Sequence, residues 1–250
     1  MQGPTSVFDG LIRRLERRVR LGDADRQALE ALPHTLRSFP AGAHFVRDGD
    51  RPDFCCLLLS GFACRYKITG DGARQIMSFH MAGEFVDLQN SLLGVADHSV
   101  QAMTECEAAI IPRLTLRDVA LNRPALAEAL WTDTLIDAAI FREWVVNVGR
   151  RDSRARVAHL LCELSLRMQA AGLAFGHRYQ LPMTQEQLAD AVGLTSVHVN
   201  RVLRQLAEEG LISRDRRTIV IEDWRRMREA GDFNDRYLHD DGSAQERRRA

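Results

Sequence analysis

At 250 residues the chain is long enough for two domains, and its 34 Lys and Arg against 34 Asp and Glu leave no formal net charge, so no global field steers it toward nucleic acid or an anionic membrane. A composition of 45% hydrophobic and 27% charged residues excludes a disordered or fibrous chain. No run approaches the roughly 18 apolar residues of a membrane helix, and MQGPTSVFDGLIRRLERRVRLG lacks the apolar core of a signal peptide; the expected location is the cytoplasm, with no membrane partner.

Residues 7–32 read as helix, with acidic residues opening the stretch from Asp23 and Pro33 following its end. From about 36 to 112, short apolar runs alternate with turn signals: HFVRDGD, FCCLLLSG, FACRYKITGDG, RQIMSFHMAGE, HSVQAMTE and CEAAIIP. Their spacing of roughly 8–12 residues predicts an all-β barrel or sandwich, with Thr69-Gly-Asp-Gly as a hairpin turn. The five cysteines, at 55, 56, 64, 106 and 162, form no CxxC or Cys/His ligand pattern, so reduced thiols and no metal site are expected.

Residues 115–121 and 124–149 read as helices, with Pro124 suited to a first turn. The longer one is apolar on several sides (Leu126, Leu130, Leu135, Ile136, Ile140, Phe141, Trp144, Val145 and Val148), so it must be covered on several sides. One face could lie on its own barrel and another on a twin helix. Gly149–Asp152 reads as a hinge with Asp152 capping a helix over 153–170, which Ala171-Gly172 ends. Between Gly149 and Arg226 stand 13 Arg against 9 Asp plus Glu, a local excess of +4. The stretch from 232 to 250 is a polar tail, expected to be partly disordered.

The segment MTQEQLADAVGLTSVHVNRVLRQLAEEGLI (183–212) carries the chemistry. Thr184 and Gln187 form a capping box, Gly193 suits the turn between two helices, and Thr195 caps the second. Val199, Val202, Leu203 and Leu206 fall at i, i+3, i+4 and i+7, an inward stripe. The opposite face bears Ser196, Val197, Asn200, Arg201 and Arg204, the kind of surface a recognition helix brings to the major groove. A hairpin with Arg214, Arg216 and Arg217 at its tip follows as a wing for backbone phosphates.

Barrel, long helix, hinge and winged helix-turn-helix, in that order, resemble the cAMP receptor protein/Fnr (Crp/Fnr) family of bacterial transcription regulators. The similarity runs from about Leu32 to Trp224. It rests most strongly on MTQEQLADAVGLTSVHVNRVLRQLAEEGLISRDRRTIVIED and, less specifically, on FPAGAHFVRDGD…LLLSGFACRYK…GDGARQIMSFHMAGEF. It implies an α+β chain: a cyclic-nucleotide-binding-like β jelly-roll barrel (1–122), a dimerisation helix with hinge (123–150) and a winged helix-turn-helix (151–231). It further implies a homodimer joined through helix 124–149, double-stranded DNA with half-sites about 34 Å apart, and RNA polymerase as a partner. Arg201 matches the family's guanine-reading arginine, Ser196, Val197 and Asn200 the other base-reading positions, and Thr184, Gln185 and Thr195 the phosphate contacts. Many members carry glutamate where Val197 stands; valine cannot accept a hydrogen bond and can only meet a thymine methyl.

In nucleotide-binding members the segment after Gly-Glu-Phe holds the cyclic phosphate. Here it implies an effector pocket of Gly83, Glu84, Asp87, Leu88, His98 and Ser99, with Phe141 and Arg142 on the long helix. Leu88 stands for the ribose-binding glutamate, His98 for the phosphate-binding arginine and Asp87 for a glycine, so cAMP is not the expected ligand. An iron–sulfur cluster is disfavoured because no cysteine precedes Cys55, and haem because a lone histidine on a strand is more often structural. The effector's identity, and whether there is one, stays open, as does activation versus repression. The competing class is a small-molecule-sensing module that acts through protein contacts. No GxSxG, HExxH, P-loop or Rossmann pattern marks an enzyme.

Overall fold

The computed structural model describes residues 6–240. Two compact units divide the chain: one built from residues up to Lys67 with Ser78–Ala139 and the stretch from Leu238, the other from Ile68–Met77 with Ile140–Tyr237.

In the first unit, α1 (Asp9–Glu16) and α2 (Asp23–Glu30) replace the single helix expected over 7–32. The break falls at Gly22, whose extended backbone caps α2 and whose N–H is accepted by the Asp25 carboxylate at 3.1 Å. Val19 and Leu21 in the connection are buried, so the apolar pattern continues where the helix does not. Seven strands follow: β1 (Thr35–Phe39), β2 (His44–Val46), β3 (Phe54–Ser60), β4 (Phe62–Ile68), β5 (Arg74–Met81), β6 (Ser99–Ala102) and β7 (Cys106–Pro112). They form two sheets, ordered β1-β7-β3 and β2-β6-β4-β5.

The run FCCLLL is continuously apolar because both faces of β3 are covered along Cys55–Leu58. Successive side chains point to opposite sides: Cys55 and Leu57 join the core with Phe8, Leu11, Leu29, Leu116 and Leu126. Cys56 and Leu58 join the barrel interior with Phe39, Phe45 and Val100. Phe39 and Phe45 stack at 4.2 Å. Gly61 permits the β3–β4 turn, where a Cβ would run into the Glu105 carbonyl oxygen. All five cysteines are buried free thiols, and burial raises the pKa of Cys55, Cys56, Cys106 and Cys162, which keeps them protonated.

Helix α3 (Arg113–Leu121) leads to α4 (Pro124–Arg150). On α4, Leu126, Leu130, Ile136, Ile140 and Trp144 are buried, while Trp131, Leu135, Phe141 and Val145 are exposed.

In the second unit, α5 (Ser153–Ala170) starts where Asp152 accepts the Ala155 N–H at 2.9 Å, as the sequence predicts. It is followed by β8 (Ala174–Phe175), β9 (Arg178–Gln180), α6 (Gln185–Val192), α7 (Ser196–Glu208), β10 (Ile212–Asp215), β11 (Thr218–Ile221) and α8 (Trp224–Ala230). β10 and β11 pair as the expected hairpin, and β11 also pairs with β9, giving the sheet β10-β11-β9-β8. Four strands hold a geometry that two alone keep only marginally.

The described part of the expected tail is not loose. Residues 231–237 close over α5: Phe233 is buried, His159 Nδ1 donates to the Gly231 carbonyl at 3.1 Å, and the Tyr237 hydroxyl donates to buried Glu163 at 2.8 Å. Trp144 Nε1 donates to the same carboxylate at 2.9 Å, and Arg151 donates to Glu143 and Asp232. Residues 241–250 lie outside the described residues.

Candidate nucleic-acid interface

Local chemistry sets up the helix pair. Thr184 Oγ1 accepts the Gln187 N–H at 3.1 Å, and the Gln187 side chain accepts the Thr184 N–H at 2.8 Å, closing the predicted capping box. Gly193 takes φ +64°, a left-handed turn that a β-carbon would strain. Thr195 Oγ1 accepts the His198 N–H at 3.3 Å and opens α7. Val199, Val202, Leu203 and Leu206 are buried, as the stripe predicts. That inward face fixes the roll of α7 and turns the other face to solvent.

On that outward face the site comes together. Gln185, Ser196, Val197, Asn200, Arg201 and Arg204 line one surface depression. Val197 is 70% exposed, and Ser196, Arg201 and Arg204 are exposed beside it. The side chains of Arg201, Arg204, Arg216 and Arg217 have no hydrogen-bond or ion-pair partner among the described residues, and their guanidinium groups stay available to an incoming anion. Thr184 and Thr195 have their hydroxyls engaged as caps yet lie exposed at the two helix N-termini, where backbone N–H groups and the helix dipole favour phosphate.

The wing projects Arg216 and Arg217 from a two-residue turn between Asp215 and Thr218, which are paired. Arg216 sits at φ +51°, a conformation that glycine or asparagine adopts more easily. Arg217 is anchored through its carbonyl, which accepts the Leu181 N–H at 2.7 Å.

Arg214 behaves differently from the other wing arginines. In the amide orientation that satisfies Arg214, the Gln185 oxygen accepts from both Arg214 guanidinium nitrogens at 3.2 and 3.3 Å, with the Asn200 amide beside it. The alternation of β10 carries the signal, because residue 214 shares a strand face with buried Ile212. Arg214 thereby links α6, α7 and the wing.

Most of the polar residues singled out as an effector pocket are engaged by neighbouring groups of the barrel. Glu84 is 4% exposed and accepts from Arg14 at 2.8 Å. Asp87 is fully buried, accepts the Cys56 N–H at 2.7 Å and an Asn90 N–H at 3.3 Å, and is pushed by burial up to about 7. Leu88 packs against the core. His98 lies between Asp97 at 2.6 Å and Gln89 at 3.0 Å, and burial, with Arg65 nearby, lowers its pKa so that it is neutral near pH 7. The Ser99 hydroxyl accepts the Asp48 N–H, and Gly83 turns the chain at φ +88°. Phe141 and Arg142 are exposed on α4. Asp87 and His98 thus provide neither a cation nor an unengaged donor at the positions where a cyclic phosphate would need them, and Leu88 cannot bond a ribose. These residues do not fit a cyclic nucleotide.

Residues 155–230 match the family model of the Crp-like helix-turn-helix domain, and residues 36–123 that of the cyclic nucleotide-binding domain. The chain is 31% identical over 192 residues to the nitrogen fixation regulation protein FixK of Rhizobium meliloti, covering 76% of this chain and 83% of that protein. It is 29% identical over 204 residues to the transcriptional activator protein FnrL of Cereibacter sphaeroides, covering 80% and 82%. The solved structure of FixK2 from Bradyrhizobium japonicum is similar with a TM-score of 0.74 at 25% identity, covering 80% of this chain and 98% of that one.

Proposed function

The chain belongs to the Crp/Fnr family of DNA-binding transcription regulators, which are not enzymes, and from that premise we propose that it acts in the cytoplasm as a homodimer reading a pseudo-palindrome through α7. The observation that carries this reading is the outward face of the helix pair and wing: exposed arginines whose side chains have no partner among the described residues, beside two capped helix N-termini. Arg201 reads guanine, with Ser196, Val197 and Asn200 on neighbouring bases. Thr184, Gln185, Thr195, Arg204, Arg216 and Arg217 hold the phosphates and set the register.

Dimerisation through α4 is supported by Trp131, Leu135, Phe141 and Val145. These exposed residues recur at helical spacing along the helix, and Trp131 is 69% exposed in the single chain. RNA polymerase is the expected partner at the promoter. Gly83, Glu84, Asp87, Leu88, His98 and Ser99 act as internal braces of the barrel, so any effector is something other than cAMP. A module working only through protein contacts is not favoured, since several relatives, FnrL among them, are transcriptional activator proteins.

Selection of random duplex DNA by the purified, ligand-free protein tests the reading. The expected result is a palindrome whose affinity falls steeply with salt. Arg201→Ala should then lose about 1–3 kcal/mol of binding and relax one base position. A variant that binds like the parent at fixed salt would remove Arg201 from the reading set. Raising cAMP should leave the melting temperature unchanged, whereas a bound ligand would shift it by mass action.

A further inference from the structure

We propose that residues 231–237 form a strap that fixes the angle between the last turns of α4 and helix α5, and so sets the separation of half-sites that the dimer accepts. This rests on the homodimer reading given above. The strap itself lies past residue 230, where the match to the Crp-like helix-turn-helix model stops.

The elbow between the two helices is short. α4 ends at Arg150 and α5 starts at Ser153, so Arg151 and Asp152 carry the turn. Each residue of the turn has two soft backbone dihedrals, so side-chain contacts must hold the angle. Glu163, fully buried on α5, is the knot. Its carboxylate accepts from Trp144 Nε1 of α4 at 2.9 Å, from Arg167 of α5 at 3.2 Å and from the Tyr237 hydroxyl of the strap at 2.8 Å. Bonds to an ionised acceptor are the strong ones. Asp232 reaches the elbow itself and accepts from Arg151 Nη2 at 3.1 Å, while the same nitrogen donates to Glu143 of α4 at 2.6 Å. Phe233 packs edge-on against His159 of α5. Every one of these groups belongs to the second unit.

The strap's backbone lies as close as its side chains. A β-carbon on Gly231 would stand 2.7 Å from the His159 backbone nitrogen and 3.0 Å from the Ala158 carbonyl carbon. Its φ of −91° is open to any residue, so the demand for glycine is one of space alone. Asp232 follows at φ +45°, a left-handed backbone that a residue other than glycine keeps only when its surroundings hold it there. A loose tail would carry neither feature.

α5 packs against α6 and α7, and Arg154 pairs with Glu209 at the end of α7. Rotation of α5 about the elbow therefore carries α7 with it. On DNA each base pair added between half-sites moves the second by about 3.4 Å and turns it by roughly 35°. A held elbow accepts one separation; a free elbow accepts its neighbours too. Gly231, Asp232, Phe233 and Tyr237 are thus positioning residues, acting through α5.

Duplexes with two copies of the selected half-site, at the selected separation and at one base pair more or less, test this. The parent should bind the selected separation more tightly than either neighbour. Tyr237→Phe removes one donor to the buried Glu163 and should narrow that ratio about tenfold. Gly231→Ala, which lifts the strap from α5, should abolish it. In both variants the preferred half-site sequence and the salt dependence should stay those of the parent, because the outward face of α7 and the wing is untouched. A variant that merely lowered the folded fraction would weaken all three duplexes alike and keep the ratio.

A parental ratio in Tyr237→Phe, or a parent indifferent to separation, overturns the strap and leaves the DNA reading intact, whether or not Gly231→Ala folds. Selection of a lone half-site, or absence of salt-dependent binding to any duplex, overturns both.

Discussion

In the first unit the guanidinium of Arg14 lies 2.8 Å from Glu84 and 2.9 Å from Asp133, Arg18 shares Asp133 at 2.8 Å, and Arg65 pairs with Asp137 at 2.8 Å. Burial opposes the charge on Arg14, but Glu84 and Asp133 hold its pKa above the ordinary range. On α7 and the wing, Arg201, Arg204 and Arg217 are solvent-exposed and face no carboxylate within ion-pair distance among the described residues. The same residue type thus ties elements together in one region and waits for an outside anion in the other. Net charge could not reveal this. A chain with zero net charge still presents a cationic surface when its carboxylates are taken up elsewhere, and Arg154 with Glu209 shows such pairing within the second unit as well.

Removing Arg14 should break the contrast most forcefully. Arg14→Ala leaves Glu84 buried without its guanidinium partner, at an expected cost of about 3–5 kcal/mol. The lower end is expected because Arg14 keeps some solvent contact and Asp133 retains Arg18. Urea unfolding should show the loss, while the folded protein keeps its DNA affinity. An unmoved midpoint would mean the pairing is ornamental.

Asp87 sharpens the same side of the comparison through pH. Its carboxyl, raised by burial from 3.8 to about 7, binds its proton more tightly folded than unfolded. The contribution of Asp87 to stability should therefore be full below about pH 4, be lost as pH rises from about 4 to about 7, and level off above that. Asp87→Asn should remove this slope and be worth on the order of 3 kcal/mol at pH 8 relative to pH 4. Equal pH profiles in the two proteins would contradict it.

The effects on the other side are smaller and appear in binding. Arg217→Ala should weaken all sequences alike, lower the slope of log affinity against log salt by about 1, and shift stability by less than about 0.5 kcal/mol. A change of base preference would show that Arg217 does more than meet phosphate. Arg216→Gly should stabilise the wing by under about 1 kcal/mol, by relieving the left-handed backbone, and also lower the salt slope. A thermal melt beside a salt titration separates the two consequences.

The helix pair was legible because its determinants are local. Thr184 with Gln187, Gly193, Thr195 and Asp152 each act within three or four residues, and the inward stripe needs only the helical period. The strands were legible from their turns. What stayed hidden depends on distant partners. Nothing near Glu84 or Asp133 in sequence announces Arg14, and nothing near Asp87 announces the Cys56 amide. Glu84 and Asp87 could only be assigned to a pocket by resemblance. The break between α1 and α2 was missed because Val19 and Leu21 keep the apolar pattern running through it. The stretch from 232 read as tail because its few anchors, Phe233, Tyr237 and Leu238, are scattered among charges.

Those anchors also set an order of events during synthesis. Helix α5 can wind as soon as it is made, yet the groups it turns inward must wait. His159 and Glu163 gain Gly231 and Tyr237 only after α6, α7 and the wing have been translated. Until then the unit holds a buried polar cluster with vacant positions, which low-dielectric surroundings penalise. The second unit is thus completed only when residues 231–237, made after the helix pair and the wing, reach α5.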